Sequence, residues 1–173
     1  YGDVGIKQAI DEGHIPGPRV FASTLGISTS GGYALEGYAP EIVVPKGVQI
    51  RDGPVEARKA AVQQLENGAD WIKVYMTHRS WVDEKSGALV SQPTLTLEEL
   101  KAIVDEVHGW GRKVACHAYN GPGLRRALDG GCDSIEHGLE LDEAAVAQMA
   151  KQGTWYCPTL AVYYYDWRPE GTP

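Results

Sequence analysis

Gly111-Arg-Lys-Val-Ala-Cys-His117 and Gly131-Cys-Asp-Ser-Ile-Glu-His137 follow one plan: a glycine, a short link, an apolar run and a closing histidine. Gly68-Ala-Asp-Trp-Ile-Lys73 and Gly153-Thr-Trp-Tyr-Cys-Pro158 repeat the plan with other closing residues. A glycine suits the left-handed position just past a helix, and a brief apolar run suits a strand covered on both faces. The repeat therefore predicts helix stop, link and buried strand, with successive strands leaving the sheet at a comparable level.

The segments between these repeats have helical period. Leu97, Leu100, Ile103, Val104 and Val107 share one face of a helix running from Leu97 to about His108; Thr96 and Glu99 form a capping-box pair before it, and Gly109 and Gly111 end it. Helices are also expected over Val55 to Asn67, Gly123 to Leu128, and Glu143 to Gln152, the last with Asp142 as N-cap. Upstream, Asp3 to Glu12 reads as a helix and Arg19-Val-Phe-Ala-Ser-Thr-Leu25, introduced by Pro16-Gly-Pro, as a strand. The result is an α/β pattern of about five parallel strands with their helices. A TIM (β/α)8 barrel is the architecture this alternation predicts, and since such a barrel takes about 250 residues, five strands make a partial one. Two connections are long, residues 26–54, rich in Gly, Pro and Tyr, and residues 77–95. Both follow strands, so both are expected on the C-terminal face, where such barrels carry their active sites.

Of the 173 residues, 43% are hydrophobic and 23% charged, enough apolar content for a core. Sixteen basic residues against twenty-three acidic leave a net charge of −7, and no Lys or Arg run could track a phosphate backbone, so nucleic acid is not an expected partner. No apolar run approaches the roughly 20 residues that cross a bilayer, so no membrane association is expected either. Any signal peptide would precede Tyr1, which leaves the compartment open, with the cytoplasm as the default. Cys116, Cys132 and Cys157 are an odd set in apolar segments and read as buried free thiols rather than a disulfide framework.

Three strand-end residues carry the chemistry. Lys73 sits within the apolar strand Trp71-Ile-Lys-Val-Tyr75, where an unpaired ammonium is costly to bury. It can snorkel to the sheet end, act as a neutral Schiff-base amine, or take up CO2 as a carbamate whose oxygens bridge two cations. His117 and His137 close consecutive βα units at equivalent phases, so both are expected to project toward the barrel axis at one rim. Imidazoles there suit zinc and other divalent first-row metals. His14, His78 and His108 lack this placement, and Asn120 is positioned to cap the helix after His117.

The motifs Gly-Ala-Asp-Trp-Ile-Lys-Val-Tyr75, Val-Ala-Cys-His-Ala-Tyr119, Asp-Ser-Ile-Glu-His-Gly138 and Cys-Pro-Thr-Leu160, in this order and spacing, resemble the amidohydrolase superfamily. The branch they are most similar to holds imidazolonepropionase-related and prolidase-like proteins; Gly17-Pro-Arg-Val-Phe21, Ser30-Gly-Gly-Tyr33 and Tyr38-Ala-Pro40 also look like it. The resemblance implies a site of two divalent metals, usually zinc, bridged by carboxylated Lys73, with His117 and His137 ligating the second. A metal-bound hydroxide would then hydrolyse an amide C–N bond in a small cyclic, linear or dipeptide-like substrate, with Tyr119 and Tyr33 as substrate-binding residues. It further implies that residues 1–173 are the central part of the barrel domain. Barrel strands 1, 2 and 8, with the family's His-X-His pair and catalytic aspartate, fall outside them. Prolidase-like members often carry a histidine where this chain has Tyr33.

Two other readings stay open. A Schiff-base lyase or aldolase would use Lys73 alone, and a non-catalytic partial barrel would bind a ligand or cover its open sheet edges in a homo-oligomer.

Overall fold

The computed structural model describes the backbone of residues 1–33, 37–39 and 41–166, and the side chains of all of these except 164–166; Pro40 of the Tyr38-Ala-Pro stretch lies outside the described residues. The elements run α1 (Gly2–Asp11), β1 (Gly26–Ser28), β2 (Val48–Ile50), α2 (Pro54–Glu66), β3 (Trp71–Tyr75), β4 (Thr77–Val82) and β5 (Leu89–Pro93). They continue through α3 (Leu97–Gly109), β6 (Lys113–Ala118), α4 (Gly121–Asp129), β7 (Ser134–His137), α5 (Glu143–Gln152), β8 (Trp155–Cys157) and α6 (Leu160–Asp166). Six strands form one parallel sheet in the order β2-β1-β3-β6-β7-β8, while β4 and β5 make a separate antiparallel hairpin. This α/β sheet with its helices is a partial TIM barrel.

Local sequence explains the joints. Gly68, Gly111, Gly131 and Gly153 all have positive φ, between 66° and 93°, so each helix stops where the repeat predicts. The capping box of α3 is formed: Thr96 Oγ1 accepts from the Glu99 amide at 3.2 Å, and Glu99 Oε2 accepts from the Thr96 amide at 2.8 Å. Asp142 likewise accepts from the Ala145 amide at 2.8 Å to start α5.

Alternation along the strands divides the sheet into two faces. Ile72, Val74, Val114, Cys116 and Ile135 are fully buried in one cluster with Leu100, Ile103 and Val107 of α3 and Leu124 and Leu128 of α4. Each large side chain removed from water there contributes about 1.5–3 kcal/mol, so this layer holds the helices to the sheet. The opposite face carries Trp71, Lys73 and Tyr75, which are only half-buried. One register row crosses this face through Tyr75, His117, Glu136 and Cys157.

Several expectations need correction. Arg19 to Leu25 is not a strand: Thr24 has φ 54°, which breaks the extension, and the sheet begins only at Gly26. Asp70 instead docks this segment, accepting from the Ala22 amide at 2.9 Å while its own amide donates to the Ala22 carbonyl at 2.8 Å. The parallel strands number six rather than five, because Val48–Ile50 adds an edge strand beside β1. The second long connection is largely a hairpin. Cys116 and Cys132 are joined in a disulfide with Cα atoms 6.1 Å apart, a pairing made by the packing of neighbouring βα units. Cys157 is free, but exposed on the edge strand β8 rather than buried. No helix among the described residues is long and apolar enough to cross a membrane.

Candidate active site

The inward face of the sheet brings the strand-end residues to one rim, although not by the route the sequence suggests. In register, His117 lies beside Tyr75, but His137 lies beside Ala118, one step out of phase. Ala118 is fully buried on the helix side, and in-register neighbours point to the same face, so a regular β7 would bury His137 among the helices. His137 instead has φ 74° and Gly138 φ 49°, and the imidazole turns inward to lie 4.7 Å, centroid to centroid, from that of His117. A non-glycine residue held in this region costs about 1–3 kcal/mol and persists only where its surroundings enforce it. Here the Tyr156 hydroxyl donates to the His137 carbonyl at 3.1 Å, and Thr159 Oγ1 lies 2.9 Å from His137 Nδ1. In the tautomer whose Nδ1–H donates to Thr159, Nε2 presents its lone pair.

Burial sets the protonation of the group. It pushes His117 down to about 3, helped by His137, Lys73 and His78. Burial and then Lys73 also lower His137, against the pull of Glu136. Lys73 is pushed down to about 8 by burial, with Glu136 and Cys157 opposing. At pH 7 both imidazoles are therefore neutral, and about a tenth of Lys73 is the free amine. Two neutral imidazoles fit a divalent first-row cation; the lysine fits only as a carbamate, since an ammonium has no lone pair. Among the described residues no three His, Cys, Asp or Glu side chains converge, so the histidine pair with Lys73 is the donor set on offer.

A cavity of about 380 Å³ opens at the rim, lined by Tyr33, Tyr75, His78, His117, Tyr119 and His137. Arg79 and Ser80 of the β4–β5 hairpin complete its wall. The Tyr119 ring lies 4.7 Å from His117 and 5.6 Å from His137, and its hydroxyl oxygen accepts from the Tyr163 hydroxyl at 2.9 Å. Tyr33 stacks on His78 at 4.9 Å. Lys73, one inward position before Tyr75, lines a neighbouring cavity of about 420 Å³ with Phe21, Trp71, Ser134, Glu136 and Cys157.

Residues 1–167 match the sequence profile of the Amidohydrolase family. The chain belongs to the amidohydrolase family. Ochratoxinase of Aspergillus niger is 31% identical over 180 residues, which cover 91% of this amidohydrolase chain and 35% of that protein. In three dimensions the chain is similar to a Xaa-Pro dipeptidase with methionine bound in the active site, at TM-score 0.80 and 34% identity over 94% of this chain and 40% of that one. It is also similar to a prolidase complexed with N-methylphosphonate-L-proline, at TM-score 0.74 and 28% identity over 99% of this chain and 44% of that one. The amidohydrolase chain thus spans about a third of the length of ochratoxinase, at 35%.

Four of the five nominated residues, Tyr33, His117, Tyr119 and His137, share one cavity, and Lys73 lines the adjacent one. His78, set aside from the sequence, is in the cavity wall, because the hairpin folds back over the rim. Tyr75, Arg79, Thr159 and Tyr163 were also not nominated. The period-two spacing from Lys73 could have found Tyr75, but nothing local announces the others. His108 stands away from the cavity, with its Nε2 2.9 Å from Asp133 Oδ2. Asn120 sits at the N-cap of α4 without a side-chain cap bond; its amide donates to the Leu89 carbonyl at 2.6 Å and tethers the hairpin instead.

Proposed function

We propose that this chain carries Lys73, His117 and His137 as ligands of a divalent-metal centre, expected to hold two zinc ions, in a hydrolase of amide C–N bonds. The observation that carries the reading is the pair of neutral imidazoles 4.7 Å apart on the adjacent strands β6 and β7, with a half-buried, partly neutral lysine on β3, the other neighbour of β6. Family membership and the hydrolase names of its relatives support it. On this reading residues 1–173 are the central part of a barrel domain, and the substrate is a small amide or dipeptide-like molecule.

A divalent metal held there supplies Lewis acidity toward an amide carbonyl and a nucleophile drawn from water at neutral pH. The chain's own contributions are separate from that. His117 and His137 stay unprotonated at neutral pH because burial opposes their charge. The neutral Lys73 amine takes up CO2, releasing one proton to solvent and leaving an anionic carbamate. Tyr119 accepts the Tyr163 proton in a hydrogen bond and so keeps its own hydroxyl proton to donate to a substrate oxygen. Tyr33 and Tyr75 wall the cavity and exclude water beside it.

Metal analysis and a hydrolysis screen of small amides, on the protein as its gene encodes it, test the reading. Bound zinc and activity lost in Lys73→Ala support it; no bound metal and an active Lys73→Ala variant contradict it. Lys73 as a Schiff-base lysine is the alternative chemistry for the same amine. Borohydride trapping of a carbonyl substrate on Lys73 would favour the lyase over the hydrolase.

A further inference from the structure

Asn120 does not make the bond its position offers. An asparagine just before a helix ordinarily accepts from the second or third helical amide. In α4 the second of these is Pro122, which has no N–H, and Asn120 makes no side-chain cap bond at all. Its carbonyl oxygen Oδ1 is buried without a partner, in a residue only 7% exposed. Buried polar atoms are nearly always paired, so an orphan of this kind marks a side chain held in place for another purpose.

That purpose is on the donor side. Asn120 Nδ2 donates to the Leu89 carbonyl of β5 at 2.6 Å and to Glu140 Oε2, in the loop after β7, at 2.8 Å. The reversed amide would set an oxygen against these two acceptors, so the neighbours fix its orientation. One side chain thus joins three segments that wall the rim cavity: the turn after β6 with Tyr119, the hairpin with His78, Arg79 and Ser80 at its register shift, and the loop that follows His137. Two bonds stand beside it, from the Tyr119 amide to Thr77 Oγ1 at 3.1 Å and from the Glu140 amide to the Tyr119 carbonyl at 3.2 Å. Beyond them the hairpin projects, with residues 79–82 and 84–88 exposed. A two-stranded hairpin is marginal by itself, so its place over the rim depends on its attachments.

We propose that Asn120 is the latch of this cavity: a positioning residue whose two amide protons hold the β4–β5 hairpin and the loop after β7 around Tyr119, and whose release lets the hairpin swing off the rim and open the way to the histidine pair. The latch does not rest on the hydrolase reading, since it concerns the wall of the cavity and not its chemistry.

Hydrogen exchange read by mass spectrometry tests it on the protein as its gene encodes it, with no substrate or metal added, so a failed hydrolase screen leaves the result intact. Asn120→Asp keeps the side chain's shape and caps a helix equally well, but it turns both donors into acceptors facing the Leu89 carbonyl and the Glu140 carboxylate. Exchange over residues 78–93 and 138–141 should rise about tenfold, with α2 and α3 changed far less. Adding Glu140→Gln to Asn120→Asp supplies a donor to the new carboxylate and should return protection to residues 138–141 while the hairpin stays open. Carbethoxylation of His117 by diethyl pyrocarbonate, mapped on peptides, should quicken in Asn120→Asp along with hairpin exchange. Glu140→Ala, at an exposed position where the fold is safe, should by itself quicken exchange over residues 138–141 severalfold. Hairpin exchange in Asn120→Asp equal to the parent's, as a plain helix cap would give, overturns the latch. So does a rise spread evenly over the chain, an unchanged rate of His117 modification, or unchanged exchange in Glu140→Ala.

Discussion

Acid should destabilise the metal-free protein at a pH where its carboxylates are still ionised, and His117 should be the main cause. Folded His117 protonates only near 3, whereas an exposed histidine does so near 6.5. Between those values the unfolded chain binds the extra proton, so stability is fully present above about 6.5 and is lost as the pH falls toward about 3. Each pH unit inside that window costs about 1.4 kcal/mol, so acidification from pH 6.5 to 5 removes about 2 kcal/mol through His117 alone. His137 is lowered too and acts in the same direction. Lys73 contributes nothing here, being largely protonated in both states below pH 7. Asp70 and Asp133 are lowered from the ordinary carboxylate range and lose their contribution only at pH values below about 4, outside the interval. The assay is urea unfolding with chelator present, at pH 6.5 and 5.0. With a slope of about 2 kcal/mol per molar, the midpoint should fall by about 1 M, and His117→Asn should lose most of that fall. An equal fall in His117→Asn and in the parent protein would refute the account of His117 as a buried neutral group.

Reducing the Cys116–Cys132 bond should destabilise the fold by about 3 kcal/mol, the chain-entropy value for a loop spanning 16 residues of separation. Urea midpoints with and without reductant measure it, and alkylation of the native oxidised protein, mapped by mass spectrometry, should label Cys157 and spare Cys116 and Cys132; label on the latter two would contradict the bond. Thr159→Val removes the group that engages His137 Nδ1 and should weaken zinc affinity about 10- to 100-fold in a chelator competition, with little change in the unfolding midpoint of the metal-free protein. Unchanged affinity would mean that Thr159 does not orient the ring.

Much of the fold was legible because it repeats. A helix-stop glycine before each short apolar run is a signal with a mechanism, and it located β3, β6, β7 and β8 at Gly68, Gly111, Gly131 and Gly153. The strands β1 and β2 carry three residues each, too few to display a period, and the Arg19 to Leu25 segment that looks like a strand is held by two aspartates, Asp70 at Ala22 and Asp3 at Thr24, rather than by a ladder. The site was legible where it depends on strand ends, as at His117. It was legible at His137 for an incomplete reason: the register is one step off, and a left-handed backbone restores the aim. Arg79 and His78 could not be read, because an irregularity in a hairpin decides where they point. The disulfide likewise depends on which βα units pack side by side.

The most direct test of the central claim is anomalous diffraction at the zinc edge from crystals of the zinc-loaded protein as its gene encodes it. The account predicts a zinc peak about 2.0–2.1 Å from a ring nitrogen of both His117 and His137, with carbamate density extending from Lys73 Nζ. A bare Lys73 amine, with no peak at the histidine pair, would contradict it.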